Sequence, residues 1–321
     1  MGDQTMLKKI RRAVVNQLWE SYRANTPHAA LIENGLAQKG LPQLYLDHFA
    51  IIDLPGPHTG IPCLRELFEA LGFIAQGRGY LPDKQNDFLW LSENDSFNTP
   101  ARLVLPQVVI ADFRLQELPT DVRNIILQYA SLATPLSLTH IKELAQQATQ
   151  SDEAAAETLI EQTLHYLTGR DWPLPTVAEF KTVQAFNELL AWVLVFGRRP
   201  NHFTLSVHLY EQFSCLLDFN HFIEHDMQLT LNNEGGHIKG NEANGIAQSS
   251  TEGEVKTIEL ADGTINLPTG FVEFVWRYQN KERTQQTLPE THWDDYFTGF
   301  VAAHANHVIE SLYVNEQIKL S

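Results

Sequence analysis

Two histidines and a glutamate carry the clearest chemical signal, because each lies in an apolar segment typical of a buried strand. His48 lies in Leu-Asp-His-Phe-Ala-Ile-Ile, His202 in His-Phe-Thr-Leu-Ser, and Glu273 in Phe-Val-Glu-Phe-Val-Trp-Arg. A buried charge is costly unless it is paired or binds a metal, so Glu273 needs a partner. Two imidazoles and one carboxylate leave three positions open on a divalent metal, which suits Fe(II), although manganese, zinc or nickel also accept these ligands. His48, His202 and Glu273 are therefore candidate metal-binding and catalytic residues.

The same three residues allow a plainer interpretation: a hydrogen-bonded core histidine, a histidine at a strand edge and an ion-paired glutamate. They lie far apart in the chain, so no local spacing motif supports a metal site. The chain has 13 histidines, and several others are rival ligands. These rivals are His58, His221, His225 and His237, together with His304 and His307, which are spaced i, i+3 on a predicted helix and are expected at the surface.

Alternation along a strand predicts which side chains share a face of a sheet. Glu273 shares one face with Arg277, whereas Val272, Phe274 and Trp276 form an apolar face that belongs in a core. The strand that contains Glu273 is therefore expected to pack through one face and to present its charges on the other.

Strand-like segments recur in the order β-α-β-β-β on both sides of a helical region. We predict an α+β fold in which these two modules pack as curved sheets around one cavity. Residues 1–112 hold an N-terminal helix and the first module, residues 113–200 a helical insertion, and residues 201–321 the second module and a closing helix. Apolar periodicity predicts helices at 6–20, 61–71, 121–132, 138–147, 152–167, 176–196, 211–225 and 294–312.

Composition limits the classes of partner. The 321 residues carry a net charge of −16, which argues against nucleic acid and anionic membranes as general partners. Two cysteines in a chain of this length suggest a reducing compartment. The N-terminal residues do not resemble a signal peptide, and the longest apolar run falls well short of the ~20 residues that span a bilayer. We therefore expect a soluble cytoplasmic protein.

Several short motifs occur together between about residue 40 and the C-terminus. They are Asp-His-Phe-Ala around His48, Asn-His-Phe-Thr around His202, Ile-Lys-Gly at 238–240, Gln-Ser-Ser-Thr at 248–251, the segment 271–277, Phe-Thr-Gly-Phe at 297–300 and Glu-Ser at 310–311. With these motifs the sequence resembles the DUF1338 family, whose characterised activity is that of a 2-oxoadipate dioxygenase/decarboxylase. That family lies within the vicinal oxygen chelate superfamily.

This resemblance implies a fold, a cofactor and a reaction. The fold would be two βαβββ modules of the vicinal-oxygen-chelate type, forming a metal-centred half-barrel with an inserted helical subdomain. The metal would be Fe(II), bound by His48, His202 and Glu273. The reaction would be attack of O₂ on a 2-oxo acid of the 2-oxoadipate kind, with loss of CO₂ and incorporation of both oxygen atoms, giving a shortened 2-hydroxy acid. The partners would be that small molecule and O₂.

One position departs from the family pattern. Relatives that act on 2-oxoadipate carry an arginine four residues after the first metal-binding histidine, and this chain has Ile52 there. Either Arg277 or Arg65 is a candidate to bind a distal carboxylate instead, although Arg277 equally fits an ion pair with a nearby acid. Gln248 and Ser249 are candidate hydrogen-bond donors to substrate oxygens. The resemblance therefore predicts the reaction class more firmly than the substrate.

Two other classes of function stay open. A metal-dependent isomerase, lyase or hydrolase on the same fold would use the same three ligands without O₂. A ligand-binding protein without a metal would keep only the cavity. Turnover with and without O₂ separates the first class, and metal content after purification separates the second. The sequence makes no prediction of the oligomeric state.

Overall fold

The computed structural model describes residues 2–280 and 291–313, and most of its strands form one large sheet. The ten strands are β1 (Leu46–Ile52), β2 (Phe73–Leu81), β3 (Asn86–Glu93), β4 (Gln107–Phe113), β5 (His202–Ser206), β6 (Lys239–Asn241), β7 (Ile246–Ser250), β8 (Val255–Glu259), β9 (Thr264–Pro268) and β10 (Phe271–Arg277). Strands β8 and β9 form a separate hairpin.

Helices precede the sheet, connect its strands and fill the interval between its two halves. They are α1 (Gly2–Asn25), α2 (Pro27–Gln38), α3 (Ile61–Ala70), α4 (Thr120–Leu132), α5 (Leu138–Thr149), α6 (Glu153–Leu167), α7 (Val177–Phe186), α8 (Glu188–Phe196), α9 (Leu216–His221) and α10 (Ala302–Val308).

The strand order β2-β3-β4-β1-β5-β10-β7-β6 divides the large sheet into two similar halves. In each half the first strand pairs in parallel with the last one, β1 with β4 and β5 with β10. The antiparallel pair β1–β5 joins the halves, so the first strands of both modules lie side by side at the centre. The predicted α+β fold with a half-barrel sheet is confirmed, and the repeat lies in this order of elements.

One face of the sheet packs against α1 and forms the larger apolar core. The rings of Phe49 and Phe203 stack across β1 and β5 with centroids 5.0 Å apart, and Trp19 from α1 meets Phe203 edge-on at 5.3 Å. Val272 and Phe274 belong to the same core and are fully buried. The predicted apolar face of β10 therefore packs as expected, and burial of these aromatic and aliphatic groups drives the sheet to assemble.

The opposite face carries the candidate ligands and is covered by the helical insertion and the C-terminal segment. Helix α8 is buried from Leu189 to Val195, and α10 is followed by the 3₁₀ turn Ile309–Leu312, whose Leu312 is buried. These elements share a second core with Ile52 and Phe271 from the sheet. The insertion therefore helps to enclose the site, a role that its periodicity alone did not reveal.

Several helix predictions were too long. The predicted helix 176–196 is two helices, because the Asn187 side chain accepts a hydrogen bond from the Leu190 N–H and starts α8 as its N-cap. The predicted helix 294–312 contains only α10 and two 3₁₀ turns, Trp293–Asp295 and Ile309–Leu312. The predicted helix 211–225 shortens to α9 and a π turn, Phe222–Asp226. Helix α2 was not predicted.

None of the helices in the described part of the chain is long and apolar enough to cross a membrane. Cys63 is buried and Cys215 is exposed, and both are free thiols. The domain boundaries and the cytoplasmic location stay predictions.

Candidate metal centre

The register of the three central strands brings the candidate ligands together. Thr204 on β5 lies opposite His48 on β1 and also opposite Glu273 on β10. His202 precedes Thr204 by two residues, so its side chain projects from the same face. Because opposite residues of neighbouring strands share a face, one patch of the sheet presents both imidazoles and the carboxylate.

The ligand atoms converge at contact distances in a buried site. The Nε2 atoms of His48 and His202 lie 3.0 Å and 3.2 Å from the same carboxylate oxygen of Glu273. All three ligand atoms lie within 4.8 Å of one another. Among the residues that the structure describes, no other group of three histidine, cysteine or carboxylate side chains converges in this way. The rival histidines therefore do not form an alternative site there.

Neighbouring side chains fix the orientation of each ligand. Asp47 Oδ1 lies 2.8 Å from Nδ1 of His48, and Asn201 Oδ1 lies 2.6 Å from Nδ1 of His202. Because both acceptors engage Nδ1–H, the Nε2 lone pair of each ring is left for a metal. On β7, Gln248 donates to the other Glu273 oxygen at 2.6 Å. The set therefore resembles a prepared ligand shell.

The electrostatics of the site favour one positive charge beside the glutamate. Burial by itself would lower the pKa of His48, but the charges of Glu273 and Asp47 outweigh burial and raise this pKa to about 9. Burial by itself would raise the pKa of Glu273, but the two histidines hold it well below its usual range. Burial dominates at His202 and lowers its pKa. A proton or a metal ion can supply the charge that this arrangement stabilises.

A β-bulge explains how Asp47 reaches His48. The β1–β5 register shifts between Leu46 and His48, which makes Asp47 the extra residue. Its carboxylate then faces the same side as His48 and accepts two hydrogen bonds from Arg277, from Nε and from Nη2, both at 2.8 Å. Ser206 adds a third bond at 3.0 Å. Arg277 thus supports the carboxylate that orients a ligand.

The predicted substrate-binding residues lie in different places. Gln248 lines the cavity and holds Glu273. Ser249 projects from the opposite face and donates to Asn220 on α9 at 2.7 Å. Arg277 is fully buried in its ion pair with Asp47, which is the alternative interpretation considered for it. Arg65 lies on the exposed side of α3 and pairs with Glu69. The structure therefore places neither arginine where a clamp on a distal carboxylate was expected.

A cavity of about 70 Å³ opens beside the three ligands. Apart from His48, His202, Glu273 and Gln248, its described lining contains one polar residue, Asn86. The remaining lining is apolar: Ala50, Ile52, Leu81, Phe88, Val109, Ala111, Leu189, Phe300, Ala305, Val308 and Ile309. A larger groove of about 1060 Å³ lies against α6 and the segments 134–137 and 168–171, and it contains none of the three ligands. The small cavity is therefore the candidate reaction space.

The donor set fits a divalent first-row metal. Two neutral imidazole nitrogens and one carboxylate oxygen approach from one side, which leaves the cavity side open for exogenous ligands. The Oε1 atom of Gln248 is buried beside the site and has no hydrogen-bond partner among the described residues, so it can accept a hydrogen bond from a bound molecule. Phe300 covers His48 edge-on, with ring centroids 4.8 Å apart, and limits the access of water.

Sequence reasoning missed three residues that shape this site: Asp47, Asn201 and Thr204. Asp47 and Asn201 each directly precede a ligand histidine, and that shared position is the signal that was available. Thr204 donates to Glu273 at 2.8 Å and lies 3.1 Å from Nε2 of His48. Its role follows from strand register, which the sequence does not specify.

Comparisons with known proteins identify the family to which this chain belongs. The family model described as 2-oxoadipate dioxygenase/decarboxylase matches residues 14–288. The chloroplastic/amyloplastic 2-oxoadipate dioxygenase/decarboxylase of Oryza sativa subsp. japonica is 27% identical over 94% of this chain and 78% of that protein. The chloroplastic enzyme of Arabidopsis thaliana is 26% identical over 94% and 77%. The crystal structure of the hydroxyglutarate synthase from Oryza sativa in complex with 2-oxoadipate has a TM-score of 0.77 at 24% identity, covering 98% of this chain and 95% of that one.

Proposed function

Because the chain belongs to the 2-oxoadipate dioxygenase/decarboxylase family, a family of enzymes with oxidoreductase activity, we propose that it is an Fe(II)-dependent dioxygenase and decarboxylase of a 2-oxo acid. The observation that carries the proposal is the convergence of His48, His202 and Glu273 beside a cavity whose described lining is mostly apolar. The predicted enzyme class is confirmed by the family, whereas iron, O₂ and CO₂ release belong to the proposal.

The proposed reaction balances without another co-substrate. The bond between C1 and C2 of the 2-oxo acid breaks, and C1 leaves as CO₂. One atom of O₂ joins C2, which becomes the new carboxyl group, and the other replaces a C3–H bond with C3–OH. The electrons of the C1–C2 bond and of the C3–H bond reduce O₂ completely. The product is a 2-hydroxy acid that is one carbon shorter.

The residues of the chain supply ligation, orientation and a dry cavity. Fe(II), when bound, supplies the one-electron chemistry that lets O₂ react with an organic acid. His48, His202 and Glu273 would hold it on one side, and Thr204 and Gln248 keep the glutamate oxygens in place. Holding the reacting groups in fixed positions removes much of the entropic cost of bringing them together.

The apolar cover formed by the C-terminal segment contributes to the proposed reaction in a second way. Phe300, Val308 and Ile309 lie over the cavity opposite the sheet. Exclusion of water strengthens electrostatic interactions inside the cavity and protects reactive species from side reactions. The oxidative step would then occur where few competing protons or waters are available.

The test is aerobic turnover of 2-oxo acids by protein loaded with Fe(II), following O₂ and CO₂ together. The proposal expects one O₂ consumed for each CO₂ released, and none of either without iron. CO₂ release or isomerisation that continues under anaerobic conditions would instead support an O₂-independent lyase or isomerase on the same fold. Absence of metal after reconstitution would support a ligand-binding protein.

A further inference from the structure

We infer that this site selects a 2-oxo acid whose side chain is apolar, not one that ends in a second carboxylate. The inference rests on the proposed function and concerns the part of the cavity farthest from the metal ligands. It depends on which side chains line that part and on where the neighbouring cations are engaged.

Alternate residues of β1 form the cavity wall that would face the side chain of a substrate. His48, Ala50 and Ile52 project from one face, so the lining changes from an imidazole to a methyl to a sec-butyl group with distance from the metal side. Ile52 is 4% exposed and also belongs to the second core. At ~3.4 Å per residue, Ile52 lies roughly 13–14 Å along the strand from His48, which places it beside the far end of the cavity.

The other strands and the cover complete an apolar far end. Phe88 on β3 and Val109 and Ala111 on β4 continue the wall, and Leu189 of α8 closes it from the insertion. The one polar member of this region is Asn86, whose amide group donates to the backbone oxygen of Asp112 at 2.9 Å. Asn86 is neutral and one of its two N–H donors is engaged, so it offers a second carboxylate at most one hydrogen bond and no counter-charge.

Of the described cations Lys84, Lys239 and Arg277, two are held in ion pairs and none lines the cavity. Lys84 pairs with Glu310 at 3.1 Å and lies over the ring of Tyr313. Lys239 donates one hydrogen bond to the neutral backbone oxygen of Asn232 at 2.8 Å and lies on β6 opposite Gln248, on the ligand side of the sheet and not beside Ile52. Arg277 is held by Asp47. No lysine or arginine is among the described residues that line the cavity.

These observations determine which side chain the cavity favours. A carboxylate that enters the far end loses its hydration and meets no described cation and at most one amide N–H, which is unfavourable. A methyl group in the same place removes apolar surface from water and contacts a wall of matching character. The α-oxo carboxylate is common to both acids and does not discriminate between them.

The test compares 2-oxohexanoate with 2-oxoadipate, two acids of equal chain length that differ only in a terminal methyl or carboxylate group. Binding is measured anaerobically by calorimetric titration of the metal-loaded protein, so that the result does not depend on turnover. We expect 2-oxohexanoate to bind about 10–100-fold more tightly, which is the ratio that one unmade hydrogen bond to a charged group produces. Equal or tighter binding of 2-oxoadipate overturns the inference.

Two variants at position 52 test whether Ile52 causes the preference for 2-oxohexanoate. Ile52→Arg places a cation at the far end and is expected to reverse the preference toward 2-oxoadipate, whereas Ile52→Leu is expected to keep it. Reversal in both variants, or in neither while Ile52→Arg remains folded, contradicts the assignment of Ile52. Aerobic turnover is then measured separately: binding selectivity without O₂ consumption would refute the proposed function and leave the selectivity of the cavity standing.

Discussion

Arg277→Met tests whether this arginine supports the metal ligands or binds substrate. The guanidinium donates to both Asp47 oxygens at 2.8 Å, to Gln107 at 3.1 Å and to the backbone oxygens of Phe297 and Gly299 at 2.8 and 3.0 Å. Both charged side chains are 0% exposed. Removing one partner leaves Asp47 as a buried charge without its counter-ion.

The structure supports a large effect on stability. Breaking a buried ion pair from one side costs about 3–5 kcal/mol, because the remaining charge loses its compensation while it stays out of water. We expect the midpoint of urea unfolding to fall accordingly, with an unchanged slope. We also expect weaker metal binding, since Asp47 would no longer be held against His48.

The double variant Asp47→Asn/Arg277→Met is the matched control. It removes both charges, so it should be more stable than Arg277→Met alone even though more groups have been changed. The reasoning is refuted if Arg277→Met loses less than about 1 kcal/mol, or if the double variant is the less stable of the two. Loss of a substrate clamp would behave differently, because the Michaelis constant would rise far more for the dicarboxylic acid than for the monocarboxylic one. We expect equal factors for both acids.

Two further variants test the metal site, and a third tests the pH dependence of stability. Glu273→Ala should bind no stoichiometric metal and show no turnover, while circular dichroism shows an intact fold, because Val272 and Phe274 retain their packing; loss of the fold would make Glu273 structural. Asn201→Ala should weaken metal binding about 10–100-fold in a competition titration, as loss of a group that orients a ligand typically does; unchanged affinity would remove Asn201 from the site. Burial lowers the pKa of His208 to about 4, so between pH 6.5 and pH 4 the unfolded chain binds a proton that the folded protein does not. Stability should therefore fall as the pH is lowered across that window, by up to about 3 kcal/mol. His208→Gln should lack this component, and an identical pH profile would contradict it.

The alternation of β1, β5 and β10 was readable from the sequence and assigned each candidate ligand to one face of its own strand. Strand register brings these three faces together. His48 and Glu273 were conspicuous because their strands are otherwise largely apolar, whereas His202 shares its face with Thr204 and Ser206. The order of elements in the two modules was readable for the same reason, because helical and strand periods differ.

The partner of Arg277 was not readable, because it depends on one extra residue in β1. Strict alternation puts Asp47 on the opposite face from His48, and only the shifted register reverses this. A bulge depends on the pairing of two strands that lie far apart in the chain, so no local sequence pattern predicts it. The same holds for Thr204, whose position between two ligands is a consequence of register on both sides of β5.

The charges around the cavity connect the metal centre to the inferred substrate. Two neutral imidazoles and one carboxylate would leave a divalent ion with one net positive charge. Arg277 cancels Asp47 and Glu310 cancels Lys84, and the buried Lys239 adds a cation on the ligand side of the sheet. The protein as a whole is strongly acidic, with a net charge of −16, so it repels anions at long range. The positive charge at the ligand end matches the carboxylate that every 2-oxo acid carries beside its oxo group. A second carboxylate would add repulsion from the protein and find no counter-charge in the apolar far end, and for that reason the electrostatics favour a monoanion.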